Sequence, residues 1–259
     1  MTVRELTADD ATWAAGLMEQ RRQVYARYSP VFWRPAQGVT GLHTRFLRRQ
    51  IASPANVALR TDNGFIVGQR RAGEGFVDDF AVDAEGSWDT DGAELLRAIW
   101  QRLAAEGGFG ALRVVTAHAD EDKSRMLARL SLELADQWWV RKLRPAPQPG
   151  PAPGPLASQP HSASQPGPVR PPRPATRVDG AGFSGILGPA PPVYDPGGPV
   201  LLVEHLAEDA DLAAIEAETA GLGAVLLIVP AAPGQRPAGL DRPGWSVASD
   251  WYLGQPAAT

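Results

Sequence analysis

The chain has 259 residues, 44% of them hydrophobic, with 25 Lys and Arg against 29 Asp and Glu for a net charge of −4. That content can build a real core, so global disorder is not expected, and so balanced a charge gives no electrostatic case for nucleic acid as a partner. The absence of cysteine excludes disulfides, thiolate metal sites and cysteine nucleophiles.

Taken in chain order, residues 3–6 read as a short strand and Asp9 or Asp10 as the cap of a helix to about Tyr25, with Trp13, Leu17 and Val24 at helical spacing. A second helix is expected over 40–51, where Leu42, Phe46 and Leu47 face inward and Arg45, Arg48 and Arg49 form a solvated face. Residues 56–60 and 64–68 read as a hairpin around Asp62-Asn63-Gly64, and 75–82 as the next strand. A loop over 83–91 leads into a helix from Gly92 to about Glu106, striped by Leu96, Ile99, Trp100 and Leu103. A strand at 111–116, a helix at 124–132 and a closing strand at 134–143 complete about 143 residues.

Twelve of the chain's 25 prolines then fall between Pro145 and Pro174. Such a segment cannot build a backbone ladder and favours solvated, extended conformations, so 145–182 reads as a disordered linker. Beyond it, 200–203 is a strand, 209–220 a helix, 224–229 a buried strand and 245–253 a last strand. Gly110–Val140 can be laid on Gly223–Leu253 without a gap at an offset of 113, with seven identities in 31 positions, among them Trp138 and Trp251. Strands, turns and the final aromatic pairs (Trp138-Trp139, Trp251-Tyr252) fall in register. The segment 183–259 therefore reads as a partial β-α-β-β repeat of structural use, docked on residues 1–144 or on a partner subunit. A homodimer belongs to those expectations.

The run Asp78-Asp79-Phe80-Ala81-Val82, the loop, and Gly92-Ala93-Glu94-Leu95-Leu96 resemble the acyl-CoA-binding segment of the GNAT acetyltransferases. The resemblance implies an α/β (α+β) fold, a mixed central sheet flanked by helices, with the C-terminal segment as a partial second copy. It also implies transfer of an acetyl group from acetyl-CoA to an amine of a small molecule. Phe80, Ala81 and Val82 would pair with the pantetheine arm, and Ser87, Thr90, Gly92 and Ala93 would cradle the diphosphate on backbone amides. The loop departs from the family pattern in its acids, Glu85, Asp89 and Asp91, which repel a diphosphate. Leu127 stands where the family often has a tyrosine acid. These departures support an alternative, a catalytically silent ligand-binding or protein-interaction protein of the same fold.

Amine acylation needs a base, for which Asp78 and Asp79 are the candidates on a central strand. Strict alternation puts one on each face, with Asp78 the more buried beside Phe80 and Val82. Tyr25, Tyr28 and Trp33 would line the acceptor side. His43, His118, His161 and His205 lack metal-ligand spacing, so no metal is expected. No run approaches the roughly 20 apolar residues of a bilayer span, and residues 1–6 are polar, so a cytoplasmic protein without a membrane partner is expected.

Overall fold

The computed structural model describes residues 2–71, 73–84, 86–105, 110–144 and 174–255. Glu85 and most of the proline-rich linker lie outside the described residues. The first half runs β1 (Arg4–Glu5), α1 (Ala11–Tyr28), α2 (Val39–Ala52), β2 (Asn56–Arg60), β3 (Gly64–Arg71), β4 (Glu74–Val82), α3 (Ala93–Ala105), β5 (Ala111–Ala117), α4 (Glu121–Arg129) and β6 (Glu133–Lys142). The second runs β7 (Thr176–Gly180), β8 (Phe183–Gly188), β9 (Val200–Leu206), α5 (Leu212–Gly221), β10 (Leu226–Ala231) and β11 (Trp245–Gly254). Strand β7 falls within the segment 145–182 that the proline content marked as linker. Thr176 to Gly188 is past the dense prolines, and Ala181-Gly182, with Gly182 at φ 80°, turns β7 back onto β8 as a hairpin.

All eleven strands form one sheet, in the order β1-β2-β3-β4-β5-β11-β6-β10-β9-β8-β7. Apart from the terminal β1, this order reads the same from either end once β2 is matched to β7, β3 to β8, β4 to β9, β5 to β10 and β6 to β11. The register at the centre obeys the sequence offset. Gln137 faces Asp250, its own counterpart 113 residues on, and the pairs Trp138↔Ser249 and Asp136↔Trp251 are images of each other. The last strand of each half has changed places: β11 lies between β5 and β6, and β6 between β11 and β10.

Helices α3 and α4 pack on one face of the first half. Leu95, Leu96, Ile99 and Leu103 of α3 are fully buried against Ile66, Val77, Phe80 and Leu112. Gly68 makes that approach possible, since a Cβ there would come within 2.9 Å of both Ile99 Cδ1 and Leu103 Cδ1. The opposite face carries α1 and α2, where Ala11, Ala14 and Ala15 let α1 settle on Phe65, Val67 and Ala81. In the second half, Leu212 and Ile215 of α5 cover Leu201, Val203, Leu227 and Val229. Its other face has no counterpart of α1 and α2 among the described residues. No helix among them is long and apolar enough to cross a membrane.

Candidate functional site

Strands β4 and β5 run parallel and pair only from Glu74–Val77 to Ala111–Val114. Beyond that they part, so Asp78–Val82 and Val115–Ala117 form the arms of a fork. At its base, Ile66 pairs with Phe80 but Gly68 with Val77, which leaves Asp78 and Asp79 together opposite Val67. This is a β-bulge, and it breaks the alternation that would have put one acid on each face. The burial order is also the reverse of the sequence expectation.

Asp79 is 6% exposed, with its Oδ1 3.0 Å from His43 Nε2. His43 Nδ1 in turn meets the guanidinium of the buried Arg22. A guanidinium can only donate, so Nδ1 accepts and the imidazole proton sits on Nε2, toward Asp79. Asp78 is surrounded by protein, yet its side chain is exposed, because it lines a cavity. Burial, followed by the neighbouring Asp79, raises its pKa to about 6 against the opposing pull of Lys123, His43 and Arg22.

The interior of the fork is filled. Lys123, at 1% exposure, reaches in from α4 and donates from Nζ to Val115 O at 2.8 Å. Its ammonium lies 5.1 Å from the ring centre of Phe80 and 5.3 Å from that of Trp88, and burial lowers its pKa. Phe80 and Trp88 meet edge to face at 4.8 Å. Arg21 lies over Trp88 and Tyr25 and pairs with Asp120. Tyr25 donates to Asp120 Oδ2 at 2.8 Å. Burial alone would raise the Tyr25 pKa, but Lys123, Arg21 and its hydrogen bonds outweigh it and lower it. About 10 Å³ of free space remains between these side chains, roughly the room one water needs.

The turn ahead of α3 is closed as well. Residues Trp88–Gly92 form a π-helical turn. Ser87 O accepts from the amides of Thr90 and Gly92, and Ser87 Oγ from that of Asp89. The Ala93 amide is turned to Thr90 O and Trp88 O. Asp91 is buried and accepts from Thr61 Oγ1 at 2.9 Å, from the Ser87 amide and from Thr90 Oγ1. Trp88 lies so close to Gly92 that a Cβ there would be 2.6 Å from its ring. Of the residues expected to hold a cofactor, Ser87, Thr90, Gly92 and Ala93 are thus gathered in one turn whose amides are already engaged. Phe80 is buried against Trp88. Ala81 packs toward α1 and Val82 toward α3.

Space exists on the other side of Asp78. A cavity of about 380 Å³ lies over the face of the second half that has no helical cover. Trp138 and Trp251, the repeat-related pair, stack at 4.6 Å on its floor. Phe32 and Trp33 wall it from the turn after α1, and Tyr194 from the segment before β9. Trp33 is held by a 2.9 Å bond from Nε1 to Ala248 O. The structure therefore brings Asp78, Tyr25 and Trp33 together, whereas Tyr28 is 45% exposed and Asp79 is turned to His43.

Arg22, Asp120, Lys123 and Tyr194 do not stand out in the sequence, and His43 does so only as a histidine without metal-ligand spacing. Lys123 had a signal, since it shares an α4 stripe with Met126 and Leu127. Tyr194 had none, being placed by contacts across the two halves. Among the described residues, no cluster of His, Asp and Glu is placed to hold a metal ion.

A candidate acetyltransferase of Thermoplasma acidophilum matches this architecture over 99% of the present chain and 100% of its own, with a TM-score of 0.59. This chain has the GNAT fold. At 11% identity the likeness is one of fold. Another GNAT-fold structure, a candidate acetyltransferase of Pyrococcus horikoshii, is 8% identical over 98% of this chain and 89% of its own, with a TM-score of 0.49. The PaiA N-acetyltransferase of Thermoplasma acidophilum, solved with coenzyme A, is 15% identical over 51% of this chain and 89% of its own, at 0.42. No protein-family model and no curated protein sequence matches the chain.

Proposed function

We propose that this GNAT-fold protein binds a small ligand in the cavity between its halves and does not use the acyl-CoA track of the first half. The carrying observation is the fork, which Lys123, Phe80 and Trp88 fill to about 10 Å³ while about 380 Å³ stands free beside Asp78. A pantetheine arm does not fit between those side chains. A diphosphate finds the turn amides engaged and Asp89 and Asp91 nearby. In this proposal the second half is a wall of the site, and the setting is cytoplasmic, in keeping with a chain that has no cysteine.

Melting curves with and without acetyl-CoA test the reading. A ligand at 100 times its dissociation constant stabilises a native protein by about 2.7 kcal/mol. No rise is expected at millimolar acetyl-CoA, and a clear rise would overturn the proposal. The second reading, acetyl transfer from acetyl-CoA to a small-molecule amine, is favoured by the parting of β4 and β5 and by Asp78, whose pKa of about 6 suits a base. Turnover of acetyl-CoA with any amine would establish it.

A further inference from the structure

The cavity has one polar end. Among the described residues that line it, Asp78 is the single acid, and no lysine, arginine or histidine is present. The cations closest to Asp78, Arg22 and Lys123, line the small space inside the fork and not the cavity. Arg22 meets His43, and Lys123 donates to Val115 O. The hydroxyl of Ser249, also on the wall, is spent on Thr116 O at 3.1 Å. A ligand entering the cavity therefore meets one carboxylate in a chamber of rings and aliphatic side chains. A carboxylate in that setting selects for a donor with positive charge, and indole faces add attraction for the same charge.

The second half supplies most of this chamber's wall. Its Tyr194, Ile228 and Trp251 line the chamber together with Phe32, Trp33 and Trp138 of the first half. The segment before β9 is fastened to the first half. Ala36 N donates to Val193 O at 3.1 Å, Asp195 N donates to Arg34 O at 2.9 Å, and the Arg34 and Asp195 side chains pair at 3.2 Å. Tyr194 is thereby held on the cavity wall near Asp78. Its phenol pKa is raised, chiefly by burial and then by Asp78, so it presents a neutral hydroxyl.

We infer that the two halves together form a recognition site for a largely apolar one- or two-ring ligand bearing a single protonated amine, with the ammonium on Asp78 and the rings over Trp138 and Trp251. The inference rests on the ligand-binding reading above and gives the second half a recognition role beyond the structural one. Pockets of several hundred Å³ that enclose such ligands use few polar groups to orient them, and here one charged group, Asp78, lines the wall.

The test uses the full chain and three matched probes: a naphthylethylamine, the corresponding naphthylethanol and the corresponding naphthylpropanoate. Calorimetry at about pH 7.5 should give the amine at least about tenfold tighter binding than the alcohol, with the carboxylate weaker still. Asp78→Asn should bring amine and alcohol to within about twofold. In the unsubstituted protein the preference should fall as pH drops from about 7.5 to about 5, because Asp78 takes up a proton while the ligand amine keeps its own. Asp79 on β4, Arg71 on β3, His43 on α2, Arg22 on α1, Lys123 on α4 and Tyr194 before β9 all act on this group. A pH effect due to any of them would persist in Asp78→Asn. Should that variant not fold, Asp78→Ser takes its place in both comparisons. Equal affinity for amine and alcohol, a preference for the carboxylate, or selectivity that survives the substitution overturns the inference and leaves ligand binding standing. Silence from all three probes at millimolar concentration overturns the ligand-binding reading itself.

Discussion

Replacing Asp78 by Asn should make the unliganded protein more stable at neutral and alkaline pH, and not at low pH. The Asp78 pKa rises from 3.8 to about 6 on folding, first through burial and then through Asp79. An acid whose pKa is raised in the folded state favours folding relative to its ionised form while it is protonated. That advantage is complete below 3.8 and lost as the pH climbs through about 6. The gap corresponds to about 3 kcal/mol. Because the side chain opens onto the cavity, where water screens it, about 1–2 kcal/mol is the expected effect. For a chain of this size that is roughly 2–8 °C in melting temperature. Thermal or urea unfolding of both proteins at several pH values between about 4 and 8 measures it. The stability difference should open between about pH 4 and 7 and then level off. A variant that is no more stable at pH 8, or whose advantage is the same at every pH, would refute the account of Asp78 as a crowded, partly desolvated carboxylate.

Other predictions concern the frame around the site. Glu216 accepts from Arg141 Nε at 3.0 Å, from Trp245 Nε1 at 2.9 Å and from Arg242, so it ties α5 to β6 and β11. Glu216→Ala should cost about 1–3 kcal/mol in urea unfolding, since three donors lose their acceptor. Gly68→Val should cost about 1–3 kcal/mol by the same assay through overpacking against Ile99 and Leu103. Residues 1–144 expressed alone should give a poorly protected β6 in hydrogen exchange, because β6 pairs with β11 and β10 and not with β5. Adding residues 174–259 as a separate chain should restore protection. A fully protected β6 in the isolated fragment would contradict the strand order.

Much of this architecture was written locally. The stripe Leu96, Ile99 and Leu103 placed α3, Asp62-Asn63-Gly64 placed the turn between β2 and β3, and the 113-residue offset reappears as the register that sets Gln137 opposite Asp250. The order of the strands was not legible, because alternation says which face a residue takes and nothing about which strand lies beside it. Strands β7 and β8 were obscured by Gly180, Gly182, Gly185 and Gly188 and by the prolines before them. Gly185 is required there, since a Cβ would fall 2.3 Å from Leu202 O. At the site, a single extra residue in β4 turned Asp78 to the cavity, a change of register that composition does not announce. The aromatic pair was visible as a repeat, but its stacking follows from the exchange of strands.

That exchange has a consequence for synthesis. When β5 leaves the ribosome, its neighbour β11 has still to be made, 128 residues downstream from Ala117 to Trp245. At roughly 5–20 residues per second the wait is on the order of 10 s, long against the microseconds in which a hairpin forms. Through that interval Leu112, Val114 and Val115 belong to a nascent sheet with an open edge, a natural target for holdase chaperones. Shortening the delay, by circular permutation that brings β11 early in translation, should raise the yield of native protein without altering a single contact.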